Sequence, residues 1–174
     1  RGCEAENDEK FVTKFCKKNN ITLYKKNVSI PEISKREKIS EETAGRNERY
    51  KFFNDICRQN GFNKIALGHH LDDVLETLLM NMIDQRKLTA MPPLLTYDNY
   101  PVSIIRPLSY APEDLIIEHA TLGGFIGWTC TCNYQENSNR KKARQQLEVI
   151  TGGDRKKKTH MYESLKNIDT RYLP

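Results

Sequence analysis

The segment running from Lys64 to Met82 constrains this chain more than any other. A short apolar run, Ile65-Ala66-Leu67, ends on Gly68-His69-His70. Behind it, Leu71, Val74, Leu75, Leu78, Leu79 and Met82 fall at i, i+3, i+4, i+7, i+8 and i+11. The first pattern predicts a buried strand over 64–68. The second predicts an amphipathic helix, because side chains three and four apart share one helical face. A strand feeding straight into such a helix is a building block of an α/β sheet.

The remaining segments extend that class. Residues 5–18 read as a helix with Phe11, Val12, Phe15 and Cys16 on one face, and 21–30 as a strand with Ile21, Leu23 and Val28 turned inward. A polar loop is expected over 31–40. Ser40-Glu41-Glu42-Thr43 then offers an N-cap followed by acids at the positive end of the helix dipole. That helix carries Tyr50, Phe53, Ile56 and Cys57 and stops at Asn60-Gly61. Pro92-Pro93 and Asp98-Asn99 mark a loop, 102–106 a third strand, and Pro112 the first turn of a further helix. Two more helices are expected over 139–150 and 159–168. Alternating strands and helices predict a parallel, helix-covered α/β sheet of the Rossmann-like kind. Three strands make it thin, so the domain is expected to be incomplete at its N-terminal edge. The expected division is an α/β domain over 1–125 and a basic helical C-terminal extension over 126–174.

Composition enters as exclusions. The longest apolar runs fall far short of the ~20 residues of a membrane span. The chain opens on Arg1-Gly2-Cys3-Glu4 without a charged leader and apolar core, so a cytoplasmic location is expected, with no membrane partner. Five cysteines, an odd number, read as reduced thiols rather than a disulfide framework. Of the net charge of +5, residues 139–174 hold ten Lys+Arg against four Asp+Glu. Arg140, Lys141, Lys142 and Arg144, followed by Lys156, Lys157 and Lys158, are therefore candidates for nucleic-acid phosphates, with a solvated basic tail as the alternative.

Chemistry concentrates where the strand at 64–68 meets its helix. Open α/β sheets bind ligands beyond the carboxyl ends of their strands. His69, His70, Asp72, Asp73 and Glu76 converge on that turn. Imidazoles can bond phosphate or a nucleobase, and carboxylates can hold Mg²⁺. Asp73-Val74-Leu75-Glu76 also fits a capping box, with Asp73 as N-cap and Glu76 at the third helical position. Arg46 and Arg49 share a helical face and can address one anion, or pair on the surface; Arg106 stands at a strand end. His119 and His160 read as structural or solvated.

Gly68-His69-His70-Leu71-Asp72-Asp73-Val74-Leu75-Glu76-Thr77 resembles the second signature of the tRNA(Ile)-lysidine synthetase and tRNA 2-thiocytidine synthetase group of PP-loop ATPases. Arg1-Gly2-Cys3-Glu4-Ala5, Arg46-Asn47-Glu48-Arg49-Tyr50, Met91-Pro92-Pro93 and Ile105-Arg106-Pro107-Leu108 are similar to lysidine-synthetase segments, in family order. Met161-Tyr162 to Leu173 is nearer the thiocytidine branch.

The resemblance implies an adenine nucleotide alpha hydrolase-like fold and adenylation of a tRNA cytidine at its C2 carbonyl by ATP with Mg²⁺. A lysine or a sulfur donor then displaces AMP. It assigns Asp73, His70 and Arg106 to catalysis. Gly68, His69, Asp72, Glu76, Arg46 and Arg49 go to the nucleotide, with Asp73 also a Mg²⁺ ligand. tRNA is the implied partner, and a homodimer is left open. The family's Ser-Gly-Gly-x-Asp-Ser phosphate loop is absent from this sequence, so the fragment alone is expected to be inactive. The thiocytidine branch also holds an iron–sulfur cluster, using a Cys-x-x-Cys ahead of the second helix. Glu41 and Ala44 stand there, and Cys130-Thr131-Cys132 has the wrong spacing, so no cluster is expected. Two alternatives remain: a non-catalytic RNA-binding module, and a metal-dependent hydrolase using His69, His70, Asp72 and Asp73.

Overall fold

The computed structural model describes residues 3–97, 100–125 and 139–172. The chain forms two compact units, Arg1–Phe62 and Asn63–Pro174. The first unit holds three helices, α1 (Cys3–Lys18), α2 (Ile30–Glu37) and α3 (Glu41–Asn60). The expected N-cap of α3 is present, with the Ser40 hydroxyl accepting from the Thr43 N–H at 3.1 Å. Gly61 closes the helix at φ 70°, a left-handed conformation that costs glycine nothing.

The strand and loop expected over 21–40 are not found. Residues 21–29 form neither strand nor helix, and α2 occupies most of the predicted loop. Pro31 explains the helix: in a first turn its fixed φ is already helical and its missing N–H would have had no intrahelical partner. Residues 24–26 are held by side chains rather than by a ladder. Tyr24 donates its hydroxyl to Asn60 at 2.7 Å, while Lys25 and Lys26 reach Glu9 and Glu48 at 2.7 and 3.0 Å.

The second unit carries the sheet. Strands β1 (Lys64–Ala66), β2 (Leu94–Tyr97) and β3 (Tyr100–Ile105) lie in the order β1-β3-β2. β1 and β3 pair in parallel, with Ile65 opposite Ile104, as the α/β pattern requires. β2 departs from the all-parallel expectation and runs antiparallel to β3. Only Asp98 and Asn99 separate these strands, too few residues for the crossover a parallel pair needs. The fold is thus an α/β arrangement with a mixed sheet.

Helix α4 (Leu71–Gln85) supplies the core stripe read from the sequence. Leu71, Val74, Leu75, Leu78 and Leu79 are buried, although Met82 at the end of the stripe is exposed. Each such burial is worth ~1.5–3 kcal/mol. Their counterparts are Ala143 and Leu147 of α6 (Asn139–Thr151) and Tyr162 of α7 (Arg155–Ser164). The C-terminal helical region is present, its two helices contribute to the core around α4, and α7 begins four residues earlier than expected. The expected boundary after 125 falls beside 126–138, which lie outside the described residues. Helix α5 (Glu113–Leu122) follows β3. Among the described residues no helix is long and apolar enough to cross a membrane.

Candidate functional site

The turn between β1 and α4 is held from both sides. The Leu67 N–H donates to the Ile105 carbonyl at 2.9 Å, and the Leu71 N–H to that of Ala111 at 3.0 Å. The strand end is thereby tied to the end of β3 before the helix begins. A capping box is present, but three residues earlier than expected. His70 is the N-cap: its Nδ1 accepts from the Asp73 N–H at 3.4 Å, and Asp73 Oδ2 accepts from the His70 N–H at 3.1 Å. Histidine is a rare cap, so a scan for Ser, Thr, Asp or Asn moves on to Asp73. With the helix starting at Leu71, both aspartates lie inside its first turn.

Each acid has a defined partner. Asp72 is buried and accepts from the Glu113 N–H at 2.8 Å and from Lys158 Nζ at 2.5 Å. It thus satisfies the start of α5, where Pro112 makes no side-chain cap, and anchors α7. Asp73 Oδ1 accepts from Arg140 Nη1 at 2.8 Å. Glu76, fully buried, accepts from Arg144 Nε at 2.7 Å and from Arg140 Nη1 at 3.4 Å. Burial pushes the Glu76 carboxyl above the usual carboxylate range, and the Arg144 hydrogen bond opposes that shift. The same bond holds the Arg144 guanidinium more firmly protonated.

His69 and Arg106 differ from these paired groups. Arg106 is buried; its Nη1 donates to the Pro92 carbonyl at 2.6 Å and its N–H to that of Pro93 at 2.8 Å. Its Nε and the Nδ1 of His69 are buried with no hydrogen-bond partner among the described residues. Such orphaned groups are costly and call for an explanation, such as strain, a catalytic role or a bound water or ion. Burial, aided by Arg106, Arg140 and His70, lowers the His69 pKa against the pull of Asp73, which favours the neutral ring. Gly68 is exposed, and a Cβ there would meet nothing within 4 Å. Its lack of a side chain answers to no protein neighbour.

Several expectations change in this light. Lys158, expected on an RNA phosphate, is only 8% exposed and bound to Asp72, so its ammonium is not displayed. Lys141, Lys142, Lys156 and Lys157 are exposed, while Arg140 and Arg144 reach inward to the acids of α4. The hydrolase alternative needs Asp72 as a ligand, yet both of its oxygens are taken. Among the described residues no group of three or more His, Cys, Asp or Glu side chains could hold a metal ion, and Asp73 is shared between Arg140 and the cap. Arg46 and Arg49 belong to the first unit. There Arg46 lies over the Tyr50 ring at 5.7 Å, and Arg49 lines a hollow with Lys26 and Glu48. Glu113 was missed: its carboxylate is 3.6 Å from both His70 Nε2 and Arg144 Nη2. Its one sequence signal was an acid directly after Pro112.

Residues 1–149 match the PP-loop domain family. The chain is 38% identical over 119 residues to a tRNA-cytidine(32) 2-sulfurtransferase of Acaryochloris marina, a match covering 68% of this chain and 42% of that protein. The same-named protein of Pseudoalteromonas atlantica is 40% identical over 114 residues, covering 65% and 36%. The chain thus spans roughly two fifths of the length of these relatives. Among solved structures, the U34-tRNA thiolase NcsA from Methanococcus maripaludis with its [4Fe-4S] cluster matches at a TM-score of 0.67 and 25% identity, over 99% of this chain and 62% of that one. This finding overturns the expectation that an iron–sulfur cluster is absent: a protein of this fold carries one. The expectation rested on cysteine spacing in sequence, whereas a cluster requires thiolates that meet in space. Cys130 and Cys132 lie outside the described residues.

Proposed function

The chain belongs to the PP-loop family, in the group of the tRNA-lysidine and tRNA 2-thiocytidine synthetases, and from that premise we propose that it is part of a cytoplasmic, ATP-dependent tRNA-thiolating enzyme. The reaction has two stages. The C2 carbonyl oxygen of a cytidine attacks the α-phosphorus of ATP, an O–P bond forms, and pyrophosphate leaves. A sulfur donor then adds at C2 and the C–O bond breaks, releasing AMP. A poor leaving oxygen becomes a good one.

The observation that carries this reading is a pair of buried polar atoms without a partner among the described residues, at the ends of two neighbouring parallel strands: Nδ1 of His69 after β1 and Nε of Arg106 after β3. An open α/β sheet binds its ligand there. The Arg106 Nε–H is a charged donor suited to phosphate oxygen or to a carbonyl gaining negative charge. A neutral His69 can bond a nucleobase or a phosphate without adding net charge. Arg140 and Arg144 bring two further cations to the same helix start. Sulfur is favoured over lysine as the nucleophile by the names of the relatives.

The test uses the full-length protein of which this chain is part, with ATP, a sulfide source and tRNA. AMP and pyrophosphate should appear together with a nucleoside in which sulfur replaces oxygen. ADP and phosphate as main products would overturn the adenylation. Incorporation of lysine in place of sulfur would overturn the thiolation.

A further inference from the structure

Glu113 opens α5 beside the start of α4, and its backbone and its side chain have separate partners. The Glu113 N–H donates to Asp72 Oδ2 at 2.8 Å, which fixes one helix start against the other. That bond belongs to the main chain, so any residue but proline at 113 keeps it. The carboxylate makes no hydrogen bond among the described residues. It is 36% exposed, with Oε1 3.6 Å from His70 Nε2 and Oε2 3.6 Å from Arg144 Nη2.

A line of contacts aims this carboxylate. The fully buried Glu76 holds Arg144 by its Nε at 2.7 Å, and Nη2 of the same guanidinium faces Glu113. A guanidinium is planar and rigid, so fixing one edge fixes the direction of the other. One oxygen of Glu113 is drawn to Arg144, and the second is left toward the His70 ring.

The remaining contacts of His70 place its proton. Nδ1 accepts from the Asp73 N–H, so a neutral ring carries its hydrogen on Nε2. Nε2 faces Asp73 Oδ2 at 3.4 Å and Glu113 Oε1 at 3.6 Å. Both distances exceed the roughly 2.7–3.2 Å of a formed N–H···O bond. Asp73 is already committed, Oδ2 to the His70 N–H and Oδ1 to Arg140. Glu113 is therefore the acid that can orient the ring by charge while Nε2–H stays available to an incoming oxygen.

We propose that Glu113 is a positioning residue whose carboxylate, aimed by Arg144, orients the His70 imidazole so that Nε2–H meets a phosphate or carbonyl oxygen of the substrates. Carboxylates act on histidines in this way elsewhere, fixing tautomer and ring angle without touching substrate. The role rests on the adenylating reading above; the ring's placement does not.

The experiment compares the full-length protein with its Glu113→Gln and Glu113→Asp variants. Ring placement is read without substrate, from the nitrogen NMR shifts of the His70 imidazole. Glutamine removes the charge at nearly the same size, so the Nε2 signal should move. Tm should hardly change, because the bond to Asp72 is made by the backbone. The kcat for AMP formation should fall by roughly tenfold or more, with KM for ATP little altered, since misalignment acts on the reaction rather than on binding. Glu113→Asp, which keeps the charge one methylene back, should recover part of both effects. An unmoved His70 signal in Glu113→Gln overturns the proposal, because the ring is then held without Glu113. A moved signal with unchanged kcat overturns it too, since the placement is then not used. A loss of Tm with normal kcat in the folded fraction would make the side chain a stabiliser of α5 and nothing more. A higher KM alone would make Glu113 a binding group for ATP and sink the positioning role. A wild-type protein that forms no AMP removes the adenylating reading together with this role, whereas wild-type turnover that both variants retain removes the role alone.

Discussion

Helices α3 and α4 both begin with a cap and a pair of acids, yet the two starts are built differently. At α3 the cap is Ser40, its bond is local, and Glu41 and Glu42 follow in the first turn without an ion pair among the described residues. At α4 the cap is His70, and Asp72, Asp73 and Glu76 behind it are buried or half-buried. Their partners come from 41 to 86 residues away: the Glu113 N–H, Lys158, Arg140 and Arg144. The first start follows from helix propensity and the dipole. The second depends on distant residues, because carboxylates buried in the folded unit need partners there.

The largest effect should come from breaking the deepest of those pairs. Lys158→Ala strands Asp72 in the core and should cost ~3–5 kcal/mol in chemical denaturation. Lys156→Ala or Lys157→Ala, at exposed positions, should change stability by less than ~0.5 kcal/mol. Equal effects from all three would mean that α7 is a solvated helix and that the α4 start needs no distant partner.

Glu76 sharpens the comparison through pH. Its raised pKa means that the folded state holds this proton more tightly than the unfolded chain does. The associated stability is fully present below the unfolded carboxylate pKa and is lost as pH rises through the folded one. Glu76→Gln cannot lose it. The Tm difference between variant and wild type should therefore move in favour of the variant as pH rises from about 4 to about 7. Movement the other way would show that the Arg144 and Arg140 bonds outweigh burial.

The smallest stability changes should come from the caps themselves. Ser40→Ala should cost about 1 kcal/mol and nothing more. Asp73→Asn keeps an oxygen for the His70 N–H, so its stability cost should also be about 1 kcal/mol or less. Turnover of ATP by the full-length protein should nevertheless fall far more than that loss explains. Intact turnover in the folded fraction would make Asp73 a cap and no more, and the two starts would be alike.

What could be read without a structure was whatever depends on near neighbours in the chain. The α4 stripe from Leu71 to Leu79 was legible because helical period alone puts those residues on one face. Ser40 was legible because a cap bonds three residues away. Residues 21–30 misled for the opposite reason: their strand-like pattern needed a neighbouring ladder, and Pro31 favoured a helix start instead. β2 was hidden behind Pro92-Pro93, which reads as loop although the strand starts directly after it.

The candidate site divides along the same line. Its place at a strand-to-helix turn, and the gathering of two histidines and three acids there, belong to the sequence, since order along the chain puts them within two turns of one helix. Which of them are structural was decided only by tertiary contact. Burial commits Asp72 to Lys158 and the start of α5, ties Asp73 and Glu76 to the arginines of α6, and leaves Nδ1 of His69 and Nε of Arg106 unpaired among the described residues. A side chain's charge is written in the sequence. Whether that charge faces water, a partner or a ligand depends on distant residues folding against it, and no local pattern records them.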